Sequence, residues 1–336
     1  MISLNSIFST SIKKYTCTVC SGSYTEEFTA EATGTFDRIF GEDRYETSIA
    51  VAEQLKANLG LEKFQTIVVA SGNEYADALS GTYLANQKNA PILLVRQQSM
   101  ESIKKYIKNN LVPGGTVYIL GGTKAVPASM ESGLEGFNVK RLGGGDRYET
   151  NLLILKEAGV NRGDDILICT GTNFADSLSA SAVNKAILLV KDNLYGSQKN
   201  FLNSVRGGNI YVIGGKVAVS EKLAGELAAY GTVRRIDGAT RYETSVNVAK
   251  TFFADAEHVV IAYGNNFPDG LSGGPLAYAL GAPLILTADG KDGVAASYTA
   301  EAKIDSGVVL GGTGLISDNV VRKICQMDNN AKIPVK

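Results

Sequence analysis

Short apolar runs rich in β-branched residues recur along the chain, among them "TIVVA" from Thr66, "ILICT" from Ile166 and "HVVIAY" from His258. They alternate with helix-length amphipathic segments such as "YETSIAVAEQLKANL" from Tyr45. Near-continuous apolar strands separated by helices predict a parallel sheet covered on both faces. The alternation runs three times, in units of roughly 95 residues, each long enough for about four strands. The expected fold class is therefore α/β, with three tandem similar modules of parallel-type sheets flanked by helices. The boundaries read as 36–136, 137–232 and 233–330. Residues 1–35, rich in Ser and Thr, fall outside the pattern and read as a weakly ordered leader.

Three signatures mark each unit. "RIFGEDRYET" from Arg38, "RLGGGDRYET" from Arg141 and "RIDGATRYET" from Arg235 share a ten-residue frame. "GNEYADALS" from Gly72, "GTNFADSLS" from Gly171 and "GNNFPDGLS" from Gly264 follow it. A Gly pair then closes an apolar run in "VYILGG", "IYVIGG" and "GVVLGG". In "DRYE" or "TRYE" an Asp or Thr stands three residues before a Glu, which is the capping-box spacing of a helix start. Asp43, Asp146 and Thr240 are thus expected to cap, with Glu46, Glu149 and Glu243 reaching back.

That box leaves Arg44, Arg147 and Arg241 in the first helical turn, where the positive helix end disfavours a cation. The recurring acidic residue of the second signature, Asp77, Asp176 or Asp269, is the nearest candidate partner. Pro268 before Asp269 suits a first helical turn, so each Asp is expected at a helix N-terminus. Both loops then lie at the carboxyl ends of the strands, where open α/β sheets bind ligands. Two readings stay open at this point: an internal Arg–Asp ion pair that locks the loops, or Arg and loop amides that hold an anionic group.

Charge narrows the partners. With 33 basic and 34 acidic side chains the chain has no bulk attraction for nucleic acid or an anionic membrane, so an anion site must be local. No apolar run approaches the ~18 residues of a spanning helix. The start, "MISLNSIFSTSIKKYTCTVC", lacks the order of charge, apolar core and small-residue site that an export signal needs. Cys17 and Cys20 form a lone C-x-x-C, half of a zinc site without its second half. No metal or cofactor is expected.

Catalytic motifs are not legible. His258 precedes a strand where the other units carry Thr66 and Asp165, and Cys169 stands where they carry Ala70 and Ala262. Both read as framework residues, as does Cys325. Phosphate-loop, zinc-hydrolase and serine-hydrolase motifs are missing from the sequence. Acidic residues repeated three times suit repeated binding better than one active site. Trp is absent, which weakens indole stacking on sugars, although 15 Tyr remain.

Taken together, the ten-residue frame, the "G-x-N-x-x-D-x-L-S" signature, the "PILLV" strand and the "GG" turn resemble the type 2 cell-wall-binding repeat, over about Arg38 to Cys325. That family occurs, typically in threes, in clostridial S-layer-associated and other Gram-positive surface proteins. The resemblance implies a secreted, wall-bound, non-catalytic protein that anchors non-covalently through an anionic secondary polymer, teichoic-acid-like or phosphate-bearing, with S-layer proteins as further partners. It also implies three modules about a pseudo-threefold axis. It associates the "ILL" triplet with polymer attachment, here Ile92, Leu93 and Leu94, then Ile187, Leu188 and Leu189, with Leu284, Ile285 and Leu286 as the altered third copy. The residues themselves read differently, as a buried central strand. The alternative function is an accessory or catalytic part of a wall-glycan hydrolase of amidase type. Family members usually carry a signal peptide and an effector domain; neither is evident here, so the chain reads as a truncated or mis-started product.

Overall fold

The computed structural model describes residues 35–336 and, as backbone pairing, residues 10–16 and 23–29. Cys17 and Cys20 lie outside the described residues. Strands β1 (Thr10–Thr16) and β2 (Ser23–Thr29) pair antiparallel, where the sequence suggested only loose order. Their Thr and Tyr content suits a strand.

The first repeat runs β3 (Phe36–Ile39), α1 (Arg44–Asn58), β4 (Phe64–Ser71), α2 (Ala76–Ser80), α3 (Thr82–Gln87), β5 (Ile92–Val95), α4 (Met100–Asn110) and β6 (Leu111–Leu120). The second runs β7 (Asn138–Leu142), α5 (Arg147–Ala158), β8 (Ile166–Thr170), α6 (Ala175–Ala180), β9 (Ala186–Val190), α7 (Gly196–Val205), β10 (Asn209–Ile213) and α8 (Glu221–Leu227). The third runs β11 (Thr232–Ile236), α9 (Arg241–Phe252), β12 (His258–Tyr263), α10 (Gly273–Ala279), β13 (Leu284–Thr287), α11 (Gly293–Ala302), β14 (Ser306–Leu310) and α12 (Asp318–Ile324).

Three parallel four-stranded sheets result, each flanked by helices, in the orders β5-β4-β6-β7, β9-β8-β10-β11 and β13-β12-β14-β3. The sheets are offset from the sequence repeats by one strand. The strand before each "RYET" completes the sheet of the preceding repeat, so β7 closes the first sheet and β11 the second. The third sheet is closed by β3, from the other end of the described body, paired with β14. The tail then runs beside β3: Arg38 N–H donates to the Pro334 carbonyl (2.7 Å), and Lys336 N–H to that of Arg38 (3.0 Å).

The "ILL" strands are buried, but they are edge strands and not central ones. Their outer edges are covered by the helix that begins with "RYET", which meets the obligation to pair buried backbone groups. Ser48 Oγ accepts from Leu94 N–H (3.0 Å), Asn151 Oδ1 from Leu189 N–H (3.0 Å) and Ser245 Oγ from Leu286 N–H (3.1 Å). All nine triplet side chains are buried.

The largest apolar cluster joins all three repeats. It includes Leu79 and Leu94 from the first, Leu178 and Ala182 from the second, and Leu271 and Leu276 from the third. Contacts close around: α2 and α3 pack on α5, α6 on α9, and α10 on α1.

Candidate functional site where the repeats meet

Every letter of "RYET" has a local task. The cap oxygens of Asp43 and Asp146 accept from the next two free N–H groups of the helix, and Thr240 accepts from Glu243 N–H. The glutamates reach one residue further back than the capping box predicts. Glu46 accepts from Glu42 N–H (3.0 Å), Glu149 from Gly145 N–H (2.8 Å) and Glu243 from Ala239 N–H (2.6 Å). The threonines go further still: Thr47, Thr150 and Thr244 accept from Gly41, Gly144 and Gly238. A Cβ on those glycines would stand 2.3–2.4 Å from the Glu Cβ, so the turn needs glycine.

The tyrosines, Tyr45, Tyr148 and Tyr242, pack their rings onto Gly72, Gly171 and Gly264 of the second signature. A Cβ there would lie 2.5–2.6 Å from a ring carbon. This close approach brings the two loops together. Arg44, Arg147 and Arg241 then donate through Nη1 to the carbonyls of the same three glycines, at 2.7, 2.6 and 2.7 Å. These carbonyls account for part of the guanidinium's placement near a helix start.

The other face of each guanidinium meets a different repeat. Arg147 lies over the Tyr75 ring at 5.3 Å, Arg241 over Phe174 at 5.2 Å and Arg44 over Phe267 at 6.0 Å. Each arginine thus stacks on the aromatic of the preceding repeat, the first on that of the third. The three rings also touch one another, with centroids 6.1 Å (Tyr75–Phe174), 5.5 Å (Tyr75–Phe267) and 5.6 Å (Phe174–Phe267) apart in edge-to-face geometry.

Beside each cation–ring pair sits the acidic residue of the ring's own loop. Asp77 and Asp176 lie in the first turns of α2 and α6. Asp269 does not: "PDGLSGG" forms a turn, and α10 starts only at Gly273, because three glycines weaken the helix here. Burial pushes the Asp77 carboxyl up to about 6, with Arg147 opposing and Glu74 adding to the shift. Burial does the same to Asp176, again to about 6, with Arg241 opposing and Asp237 adding. Asp269 is raised by burial too, against Thr47 and Arg44, with Asp43 adding to the shift. Each carboxyl feels the arginine of the following repeat, yet none of the three pairs Asp77–Arg147, Asp176–Arg241 and Asp269–Arg44 closes to an ion pair. The lock is instead the Gly carbonyl and the ring. Each carboxylate packs on the first Gly of its own repeat's "GG" turn, held at positive φ (Gly121 93°, Gly214 102°, Gly311 98°).

A further set was not singled out from sequence, the first arginine of the ten-residue frame. Arg38, fully buried, donates to the Gly311 and Ile316 carbonyls and pairs with Asp318 (2.8 Å). Arg141 holds Gly121 and Val126 likewise, and Arg235 holds Gly214 and Val219. Tyr75, Phe174 and Phe267 were also missed. Their signal was present, an aromatic two places before the Asp in all three copies.

The remaining residues fall where the sequence put them. His258 starts β12 and its ring shares a hydrogen bond with Ser306 (2.7 Å). Cys169 and Cys325 are buried, and burial raises both thiols, so neither is a ready nucleophile. Among the described residues no cluster of three His, Cys, Asp or Glu could hold a metal, and no helix is long and apolar enough to cross a membrane.

Comparison with known proteins agrees with the repeat pattern. Residues 38–131, 141–224 and 235–321 match the family described as cell wall binding domain 2. N-acetylmuramoyl-L-alanine amidase LytC of Bacillus subtilis (strain 168) is 26% identical over 304 residues, covering 88% of this chain and 59% of that protein. The amidase enhancer of the same organism is 28% identical over 298 residues, covering 84% and 39%. The chain therefore spans less than two thirds of either relative. Among solved structures, Cwp6 from Clostridium difficile superposes with a TM-score of 0.77 at 27% identity, covering 96% of this chain and 52% of that one. Cwp8 from Clostridium difficile also gives 0.77, at 25% identity, covering 87% and 51%.

Proposed function

Since the chain belongs to the cell wall binding domain 2 family, we propose that it anchors to the Gram-positive wall by gripping an anionic secondary polymer at the three places where its repeats meet. The observation that carries this is the threefold recurrence of one arrangement: an arginine held by its own glycine carbonyl and spread over the neighbouring repeat's ring. Such a guanidinium is pre-oriented, so little side-chain entropy is lost when it takes a phosphate or carboxylate. Three such groups on one body gain avidity for a repeating polymer.

In this reading Arg44, Arg147 and Arg241 contact the polymer, and Asp77, Asp176 and Asp269 set the local charge around them. The buried "ILL" triplets act indirectly, as the strands on which the arginine-bearing helices rest. The units 36–136, 137–232 and 233–330 are three binding modules about a pseudo-threefold axis, and the role is non-catalytic. In this reading the amidase activity that LytC is named for is assigned to the part of LytC that this chain does not span. Secretion to the cell surface, and contact with S-layer proteins there, follow from the same reading.

The test is co-sedimentation with Gram-positive walls, before and after mild acid removal of their anionic polymers. Binding is expected to be lost on stripping, and to be weakened by combined Arg44→Ala, Arg147→Ala and Arg241→Ala. Each substitution also removes a carbonyl bond and a ring contact, so a loss on the order of 1 kcal/mol of stability per site is expected. Undiminished binding to stripped walls would overturn the polymer assignment.

A further inference from the structure

The three sites differ one step outward from the arginine. In the first repeat Arg96 lies over the Tyr45 ring at 4.7 Å and is paired with Asp43 (3.1 Å), so its charge is compensated. In the third, nothing stacks on Tyr242 among the described residues. In the second, Tyr195 stands in this place, its centroid 5.4 Å from that of Tyr148 and the planes inclined at 50°.

Tyr195 immediately precedes α7 and keeps 44% of its surface exposed. Tyr148 itself is wedged against Gly171, whose carbonyl holds Arg147. Arg147 in turn bonds the Tyr75 hydroxyl (3.1 Å). Tyr75, Arg147, Tyr148 and Tyr195 thus form one run, with a cation in its middle and an exposed phenol at its end. A ring with two side-chain torsions, already supported by another ring, offers apolar area at small entropic cost.

We infer that Tyr195 is a sugar-stacking subsite, so that the second repeat holds a pyranose ring of the wall polymer beside the anionic group taken by Arg147. The inference rests on the anion-binding reading above and narrows it, because it makes the second site the strongest of the three. A saccharide fits the pair: an apolar ring face lies on the phenol while its charged substituent reaches the guanidinium.

The chain contains no Trp, so Tyr195→Trp supplies a single indole reporter. The probe is soluble anionic polysaccharide released from Gram-positive walls by mild acid. Saturable change in indole emission is expected, and Tyr195→Ala should weaken binding to intact walls about three- to tenfold. Tyr195→Phe, which keeps the ring and the packing on Tyr148, should bind like the parent chain. If Tyr195→Ala binds normally while Arg147→Ala does not, the subsite is wrong and the anion site stands. If Tyr195→Phe loses as much as Tyr195→Ala, stacking is not its role. Normal wall binding by both Arg147→Ala and Tyr195→Ala would overturn the second repeat's site altogether, and unmoved indole emission under saturating polymer would sink the subsite alone.

Discussion

The side chains at the meeting point divide between framework and ligand by their second faces. Arg38, Arg141 and Arg235 each donate to two loop carbonyls and lie against a carboxylate, whereas Arg44, Arg147 and Arg241 remain partly exposed. The buried carboxyls give the residue scale its clearest prediction. Asp77 and Asp176 have folded values of about 6 against an unfolded value near 3.9, so the folded state favours the proton. Their contribution to stability is fully present below about pH 4 and is lost as pH rises through about 6. A shift of about two units corresponds to roughly 3 kcal/mol per carboxyl at most. Thermal midpoints compared between pH 7 and pH 4.5 should therefore show less acid stabilisation in Asp77→Asn, Asp176→Asn than in the parent chain. If the two profiles coincide, the carboxyls are not buried as described. Polymer affinity should rise over the same descent, because protonation removes one negative charge beside Arg147, which keeps Glu74 at 3.7 Å, and one beside Arg241.

Among the elements, the "ILL" strands show how an edge can be buried without another strand. The helix that begins with "RYET" lays a polar side chain along the edge, and in the second repeat Asn151 both accepts from Leu189 N–H and donates to the Ile187 carbonyl (2.8 Å). Asn151→Ala would strand two backbone groups in a dry interface and is expected to destabilise by about 2–4 kcal/mol. Urea unfolding monitored by circular dichroism measures this, and a loss under 1 kcal/mol would mean that water replaces the amide. The same burial explains why changing a triplet leucine would lower wall binding through unfolding of the strand, with no direct contact to the polymer.

Across the whole molecule, closure of the third sheet by β3 ties the sequentially first strand to the last repeat. Deleting residues 35–39 should therefore raise amide exchange in Val308–Leu310, some 270 residues away, while Val68 and Val69 in β4 stay protected. Equal loss in both places would indicate that the body opens as one unit. The large cluster shared by all three repeats favours such cooperativity, whereas the clusters that belong to the third and second sheets favour local opening.

Repetition and apolar period determined much of this protein at the level of sequence: three α/β units, parallel sheets, caps at the "RYET" helices, and an arginine in each helix start that needed a partner. These are local facts, written in spacing and residue type, and they survive in one dimension. Tertiary structure alone decided which repeat supplies that partner. The arginine's own loop provides the carbonyl while the neighbouring repeat provides the ring and the carboxyl, across 72 residues from Tyr75 to Arg147 and across 223 from Arg44 to Phe267. Identical signatures cannot say whether they pair within a unit or between units. Packing chooses: within a repeat the loop glycine admits that repeat's tyrosine ring, and between repeats the buried inner faces share one large apolar cluster.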